Sequence, residues 1–305
     1  MCRVLWEAPT LGLAVPSFGL FLFLGTFAAL GLTFWRARRE MIEPESVAGL
    51  AAWLLTGGFI GARFLYILGH PETVHGVGDV FKVWQGGIVY YGCLIGGLIG
   101  STLYWLRKPF PFRAMADVVA PALALGSAIG RVGCLLNGCC YGAVCEHPWA
   151  ITFPSGSLAW AKQVEVGLIP VYAGHSLPIH PTQVYAALDG LLLLALLSAF
   201  FPRRRRDGEV MALLMVTYPV TRFLIEGLRA DEPALVLGMT MAQAISVGIF
   251  LAGLVAWSVL WRQPVGRYAD VASKSVAGPL ATADVVPRPH VVPQRASGHR
   301  VDTPA

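Results

Sequence analysis

Seven stretches of this chain, at about residues 11–35, 46–68, 86–106, 114–136, 181–201, 209–228 and 234–261, run with almost no charge. About 20 apolar residues in a helix match a hydrocarbon layer roughly 30 Å thick. Inside that layer the backbone must satisfy its polar groups within each helix or in a closed barrel, and these runs are too long and continuous for alternating barrel strands. The pattern predicts an all-α membrane protein, a seven-transmembrane-helix bundle. With 55% hydrophobic and 13% charged residues, the composition excludes an ordinary soluble domain.

Charge sets the expected orientation. Arg36, Arg38 and Arg39 follow the first run; Arg107, Lys108 and Arg113 separate the third from the fourth; Arg203 to Arg206 separate the fifth from the sixth; Arg262 and Arg267 follow the seventh. The alternate connections carry chiefly Lys82, Lys162 and Arg229. The positive-inside rule then places the N-terminus outside and the C-terminus in the cytoplasm. The net charge of +5 lies mostly in these flanking loops and calls for no nucleic-acid partner. The first run reads as a retained span, because its basic cluster follows rather than precedes it.

Residues 1–264 therefore form the membrane domain, and 265–305, rich in Pro, Val, Ala and Ser without periodicity, read as a disordered cytoplasmic tail. The connection at about 137–180, with Pro148, Pro154, Pro170 and Pro178, is long enough for a small extracytoplasmic cap. Gly57 and Gly61, Gly92, Gly96 and Gly100, and Gly126 and Gly130 recur at helical spacing, the pattern of close helix packing.

Ionisable residues inside spans mark functional sites by default. Counting about 1.5 Å per residue from the cytoplasmic start of the sixth run, Arg222 stands roughly 20 Å across and Glu226 roughly 26 Å. The same count puts Arg63 and Arg131 near the outer ends of the second and fourth runs, and His180 opens the fifth from outside. Five polar groups from four helices thus share one depth, as a site for an anionic lipid headgroup requires. Simpler readings stay open: Arg222 and Glu226, four apart, can neutralise one another, Arg63 and Arg131 can snorkel, and His180 can be a helix-entry residue before Pro181. Arg131 is set among glycines in Gly130-Arg131-Val132-Gly133, where a phosphate can approach the backbone closely. Asp189, in mid-span, takes no assigned role.

Cys134, Cys139, Cys140 and Cys145, with His147 close by, read as a metal cluster, a redox pair or small buried side chains. No C-x-x-C occurs and the spacing matches no standard zinc pattern, so the expectation is no metal and no cofactor. In an oxidising compartment one disulfide, for instance Cys140 with Cys145, is plausible.

Four elements together resemble the bacterial prolipoprotein diacylglyceryl transferase family. They are the Gly-Arg-x-Gly-x-x-x-Asn-Gly core ending at Tyr141-Gly142, the run Tyr91-Gly92-Cys93-Leu94-Ile95-Gly96, the segment His180-Pro181-Thr182-Gln183-Val184-Tyr185, and Arg222-Phe223-Leu224-Ile225-Glu226-Gly227-Leu228-Arg229. They occur in the family's order and cover about residues 12 to 260.

The resemblance implies a multi-pass enzyme of the bacterial inner membrane. Such an enzyme moves the diacylglyceryl group of phosphatidylglycerol onto the lipobox cysteine of a prolipoprotein signal peptide, forming a thioether and releasing glycerol phosphate. Its partners are that lipid, the precursor and the surrounding membrane lipids. By match to the family's motifs, Arg131, Tyr91, His180, Arg222 and Glu226 are the catalytic candidates. Arg131, Asn137, Gly142, Arg63 and Arg229 are the substrate-binding ones.

The chain departs from the family pattern at four places. Tyr91 stands where the family has a histidine, a candidate base for the thiol, and Phe18 stands where the first span commonly has a tyrosine. Cys134 and Cys139 replace asparagine and an acidic side chain. The alternatives are a diverged member that binds lipid or precursor without transferring anything, and, less well supported, a transporter. A transporter would show an inverted repeat and polar residues near the midplane.

Overall fold

The structure, a computed structural model, describes residues 4–8, 13–71, 87, 89–230 and 238–277. Among these, seven helices of 18 to 26 residues follow one another: α1 (Ser17–Arg39), α2 (Pro44–Gly69), α3 (Tyr90–Arg107), α4 (Phe112–Asn137), α6 (Thr182–Phe200), α7 (Glu209–Glu226) and α8 (Met241–Trp261). Two shorter helices, α5 (Leu158–Glu165) and α9 (Tyr268–Ala277), complete them. Each apolar run contains one long helix. Five of these elements, α1, α2, α4, α6 (continued by a 3-10 turn to Arg203) and α8, are long and apolar enough to cross a membrane. The other two are more polar in sequence: α7 carries Glu209, Arg222 and Glu226, and α3 carries tyrosines and Arg107.

The apolar side chains face outward, the reverse of a soluble protein. Leu98 is 70% exposed, and Phe23, Phe27, Ile60 and Phe64 stand out from the surface in the same way, a coat that only a lipid or protein environment accommodates. Tight packing between helices comes instead from small residues. A methyl group on Gly61 would collide with the Gly92 carbonyl oxygen, and one on Gly96 with that of Gly57, so α2 and α3 lie backbone to backbone. Gly25 and Gly126 bring α1 against α4. Gly130 departs from the packing expectation, because nothing lies within 4 Å of where its methyl would be.

The chain is not purely helical. Val4–Ala8 (β1) and Leu13–Pro16 (β2) pair antiparallel, and α1 therefore starts at Ser17, after an extended Pro16, rather than near residue 11. Arg36, Arg38 and Arg39, expected in a loop, form the last turn of α1, where cations suit the helix dipole. The stretch expected to be a disordered tail carries α9: the Tyr268 amide donates to Asp207 at 2.6 Å and Arg267 pairs with Asp270 at 2.9 Å. Asp270 in its first turn and Lys274 in its last suit the dipole as well. The tail beyond Ala277 and the start of the seventh run, 234–237, lie outside the described residues.

One end of the bundle holds the main core. Ala37, Val47, Met115, Val118, Leu197 and Val210 meet there, beside a buried polar network. Arg204, with its side chain fully buried, reaches Glu40 at 2.5 Å, while its Nε faces Asp117 at 3.2 Å as an ion pair rather than a hydrogen bond. Asp117 also accepts from the amides of Gly208, Val210 and Met211 at 2.8, 2.9 and 3.0 Å, satisfying donors that the start of α7 cannot pair internally. The connection at 138–181 sits at the other end. It carries α5, capped by Ser157 accepting from the Trp160 amide, and a small core of Tyr141, Phe153, Ala159 and Ile179.

Candidate active site

The end of the bundle opposite Arg204 gathers the C-terminal turns of α4 and α7 and the first turns of α6 and α8. At its centre is Glu226, in the last turn of α7 and only 1% exposed. Its Oε2 pairs with the Arg222 guanidinium one turn earlier and with Arg229 at 3.1 Å, and its Oε1 accepts from Thr240 Oγ1 at 3.2 Å. Thr240 is the N-cap of α8 and closes a capping box with Gln243. One carboxylate thus serves two guanidiniums in a largely buried place.

Backbone pairing ties this hub to the neighbouring helices. The segment after α4 runs between the end of α7 and the entry to α6. Gly142 forms a bridge with Arg229, the Gly142 amide donates to the His180 carbonyl at 3.1 Å, and the Ala143 amide donates to that of Leu228 at 2.8 Å. A methyl on Gly142 would sit 2.7 Å from the His180 oxygen and 3.0 Å from that of Leu228, so glycine alone fits. His180 Nδ1 lies 3.4 Å from the Tyr185 hydroxyl, which also accepts from the Trp149 indole at 2.7 Å. The His147 ring stands 5.3 Å from that of His180.

Arg131 occupies the last two turns of α4, flanked on one side by the open space at Gly130 and on the other by Gly133, which packs on Phe18 and Phe21 of α1. Arg131 stands one turn before Cys134 on α4, and Arg229 bridges Gly142, two residues after Cys140. Asn137, the last residue of α4, lines a small cavity of about 140 Å³ with Phe153 and Ser157 under the cap. Arg63 and Tyr91 come from the α2–α3 pair. There Arg63 donates to the Gly87 carbonyl at 3.1 Å and lies over the Tyr66 ring, and Tyr91 sits in the first turn of α3.

The cysteines do not pair as expected. Cys140 and Cys145 are free thiols, and the sulfur neighbours of Cys140 are Cys134 and Cys139, the three Sγ atoms lying within 4.8 Å of one another. Hydrogen bonds with Cys134 and Cys139 hold the Cys140 thiol below its ordinary range, with the Arg131 and Arg229 guanidiniums helping and burial opposing. These are the described side chains that could hold a metal ion.

A family model described as prolipoprotein diacylglyceryl transferase matches residues 5–259. The chain belongs to this family. Phosphatidylglycerol-prolipoprotein diacylglyceryl transferases are among its relatives: one from Paracidovorax citrulli is 35% identical, with 82% of this chain and 90% of that one aligned. Another from Gloeobacter violaceus is 35% identical over 82% and 89%, and phosphatidylglycerol-prolipoprotein diacylglyceryl transferase 2 from Clostridium perfringens 30% over 81% and 92%. The polar end of the bundle around Glu226 is the candidate site. Thr240 is a member of that site that the sequence reading missed, although Thr240-Met241-Ala242-Gln243 is a legible capping box. Thr182 and Gln183, quoted only as parts of a motif, donate to the carbonyls of Cys140 and Cys139 at 2.7 and 2.8 Å and so hold the loop in place.

Proposed function

We propose that this chain transfers the diacylglyceryl group of phosphatidylglycerol to the cysteine thiol of a prolipoprotein lipobox, forming a thioether and releasing glycerol phosphate. The enzyme works as a multi-pass protein of the bacterial inner membrane. All seven long helices cross the bilayer, with the N-terminus and the cap outside and the basic end in the cytoplasm. The supporting observation is the buried Glu226 shared by Arg222 and Arg229, at the same end of the bundle as Arg131, Gly142 and His180. A phospholipid phosphate is an anion that guanidiniums at this end of the bundle can hold.

Arg131 and Arg229 bind the lipid phosphate and stabilise the charge that develops on it as the glyceryl carbon–oxygen bond breaks. Arg222 and Glu226 act as positioning residues, fixing the Arg229 fork. Asn137 and Gly142 shape the pocket wall, and Arg63 contacts the headgroup from the α2–α3 side. His180 and Tyr91 are the further catalytic candidates at this end, on the side of the incoming thiol.

The test is a transfer assay with purified full-length protein in vesicles containing phosphatidylglycerol and a lipobox peptide, read by the mass added to the peptide. Wild type yields diacylglyceryl-peptide, and Arg131→Ala lowers the rate by about 100-fold or more, the cost of removing one charge-stabilising donor. Peptide or lipid bound without product would replace the transferase with a binding protein. An undiminished rate in Arg131→Ala would remove the anion site.

A further inference from the structure

We propose that Cys134, Cys139 and Cys140 form a three-thiolate zinc site whose fourth position takes the thiol of the incoming prolipoprotein cysteine. The proposal rests on the transferase reading, since it supplies the acceptor of that reaction with its thiolate.

The local fold builds the cluster. Gly138 takes the left-handed conformation, φ 75°, that ends α4. The Cys139 amide then bonds back to the Cys134 carbonyl at 3.2 Å and the Gly138 amide to that of Leu135 at 3.3 Å. This is a Schellman closure, and it folds Cys139 over Cys134. Cys140 follows with φ 57°, a backbone that non-glycine residues seldom adopt. The buried Thr182 and Gln183 hold it there through the two carbonyl contacts of the loop. Three sulfurs consequently share one spot from a sequence with no C-x-x-C. Their separations, all within 4.8 Å, lie close to the about 3.8 Å that tetrahedral zinc with Zn–S bonds near 2.3 Å requires.

The chemistry suits the place. Thiolates select soft or borderline ions such as zinc, and three protein ligands with one open position are the arrangement of a catalytic rather than a structural zinc. Zinc with three thiolates carries one net negative charge, and cations stand on both sides of the trio: Arg131 one turn before Cys134 on α4, and Arg229 bridging Gly142 two residues after Cys140. A groove of about 350 Å³ between the 139–141 segment and α5 opens on Cys139 and Cys140, with Ala161 and Lys162 on its far wall, a route for an incoming peptide. A free thiol is mostly protonated at neutral pH, whereas a zinc-bound thiol is deprotonated outright. The substrate thiol thus loses its proton to solvent on binding zinc. Its sulfur lone pair then forms the bond to the glyceryl carbon while the carbon–oxygen bond to phosphate breaks, its electron pair leaving with glycerol phosphate. The thioether, a weak ligand, leaves the metal. No side-chain base is then needed where Tyr91 stands.

The experiment titrates reduced, metal-free, full-length protein with cobalt(II). The expected result is one equivalent bound with an intense thiolate-to-cobalt charge-transfer band, lost in Cys134→Ser and in Cys139→Ser and kept in Cys145→Ser. A lipobox peptide should shift the visible cobalt bands, and the same peptide with serine for its cysteine should not. Transfer should fall at least about tenfold on zinc removal and return with added zinc. Wild type that binds no cobalt, a spectrum blind to the peptide thiol, a native disulfide within the trio, or full transfer by zinc-free protein would each overturn the proposal. Cobalt spectra as expected with no transfer under any condition would overturn the transferase reading and leave the thiol-binding metal site standing.

Discussion

Glu226 shows how one carboxylate can organise a cationic site. Two guanidiniums and the Thr240 hydroxyl converge on it, and removing its charge leaves both cations in a poorly hydrated place. Breaking such a buried pair costs about 3–5 kcal/mol. Glu226→Gln, which keeps the shape, should therefore lower the unfolding temperature markedly in detergent and abolish transfer. Thr240→Val should cost only about 1 kcal/mol for its hydrogen bond. Equal unfolding temperatures for Glu226→Gln and wild type would show that the charge is solvated rather than paired. The Arg222–Glu226 pair is legible from its i,i+4 spacing, and the two residues do pair in the structure. The share taken by Thr240 was not legible, because it comes from an element 14 residues away whose start the apolar run had placed too early.

Among the elements, periodicity carried the reading of the long helices, since a continuous apolar run admits little else in a bilayer. It failed where local backbone geometry decides. The first run hid a strand, the tail hid α9, and the cysteine spacing hid a cluster that a left-handed glycine and two clamping side chains create. Small-residue spacing was half informative. Gly57, Gly61, Gly92 and Gly96 are contact glycines, whereas Gly130 is open. This divides two substitutions that a motif treats alike. Gly61→Ala must push α3 away from α2, at a cost of about 1–3 kcal/mol for overpacking. Gly130→Ala adds a methyl to free space and should leave stability unchanged or slightly raised through helix propensity. If thermal unfolding ranked the two the other way, the α2–α3 contact described above would be wrong.

Across the whole molecule, the main core and the candidate site occupy opposite ends. The core of Val118, Leu197 and Val210 and the Arg204 network close one end, while the other carries the cap, its cavities and the Glu226 cluster. Loop charge serves only as a topology signal, and it cannot reveal that Arg204, among the four arginines at 203–206, is buried. Asp117 escaped notice because a single acid near the start of a span looks like a tolerated end residue, and its three amide partners come from residues about 90 positions later. Removing either Asp117 or Arg204 leaves the other, or Glu40, charged and buried without its partner. Each alanine substitution should therefore cost about 3–5 kcal/mol. The double variant should cost less than the sum by about 1–3 kcal/mol, the coupling expected of residues in one network. The site lies a helix length away, about 27 Å for 18 residues. At temperatures where these variants remain folded, kcat/KM per folded molecule should accordingly stay within about twofold of wild type, a shift worth less than about 0.5 kcal/mol. Additive losses in the double variant would deny the network. A collapse of kcat/KM in folded Arg204→Ala would show instead that the closed end positions the open one.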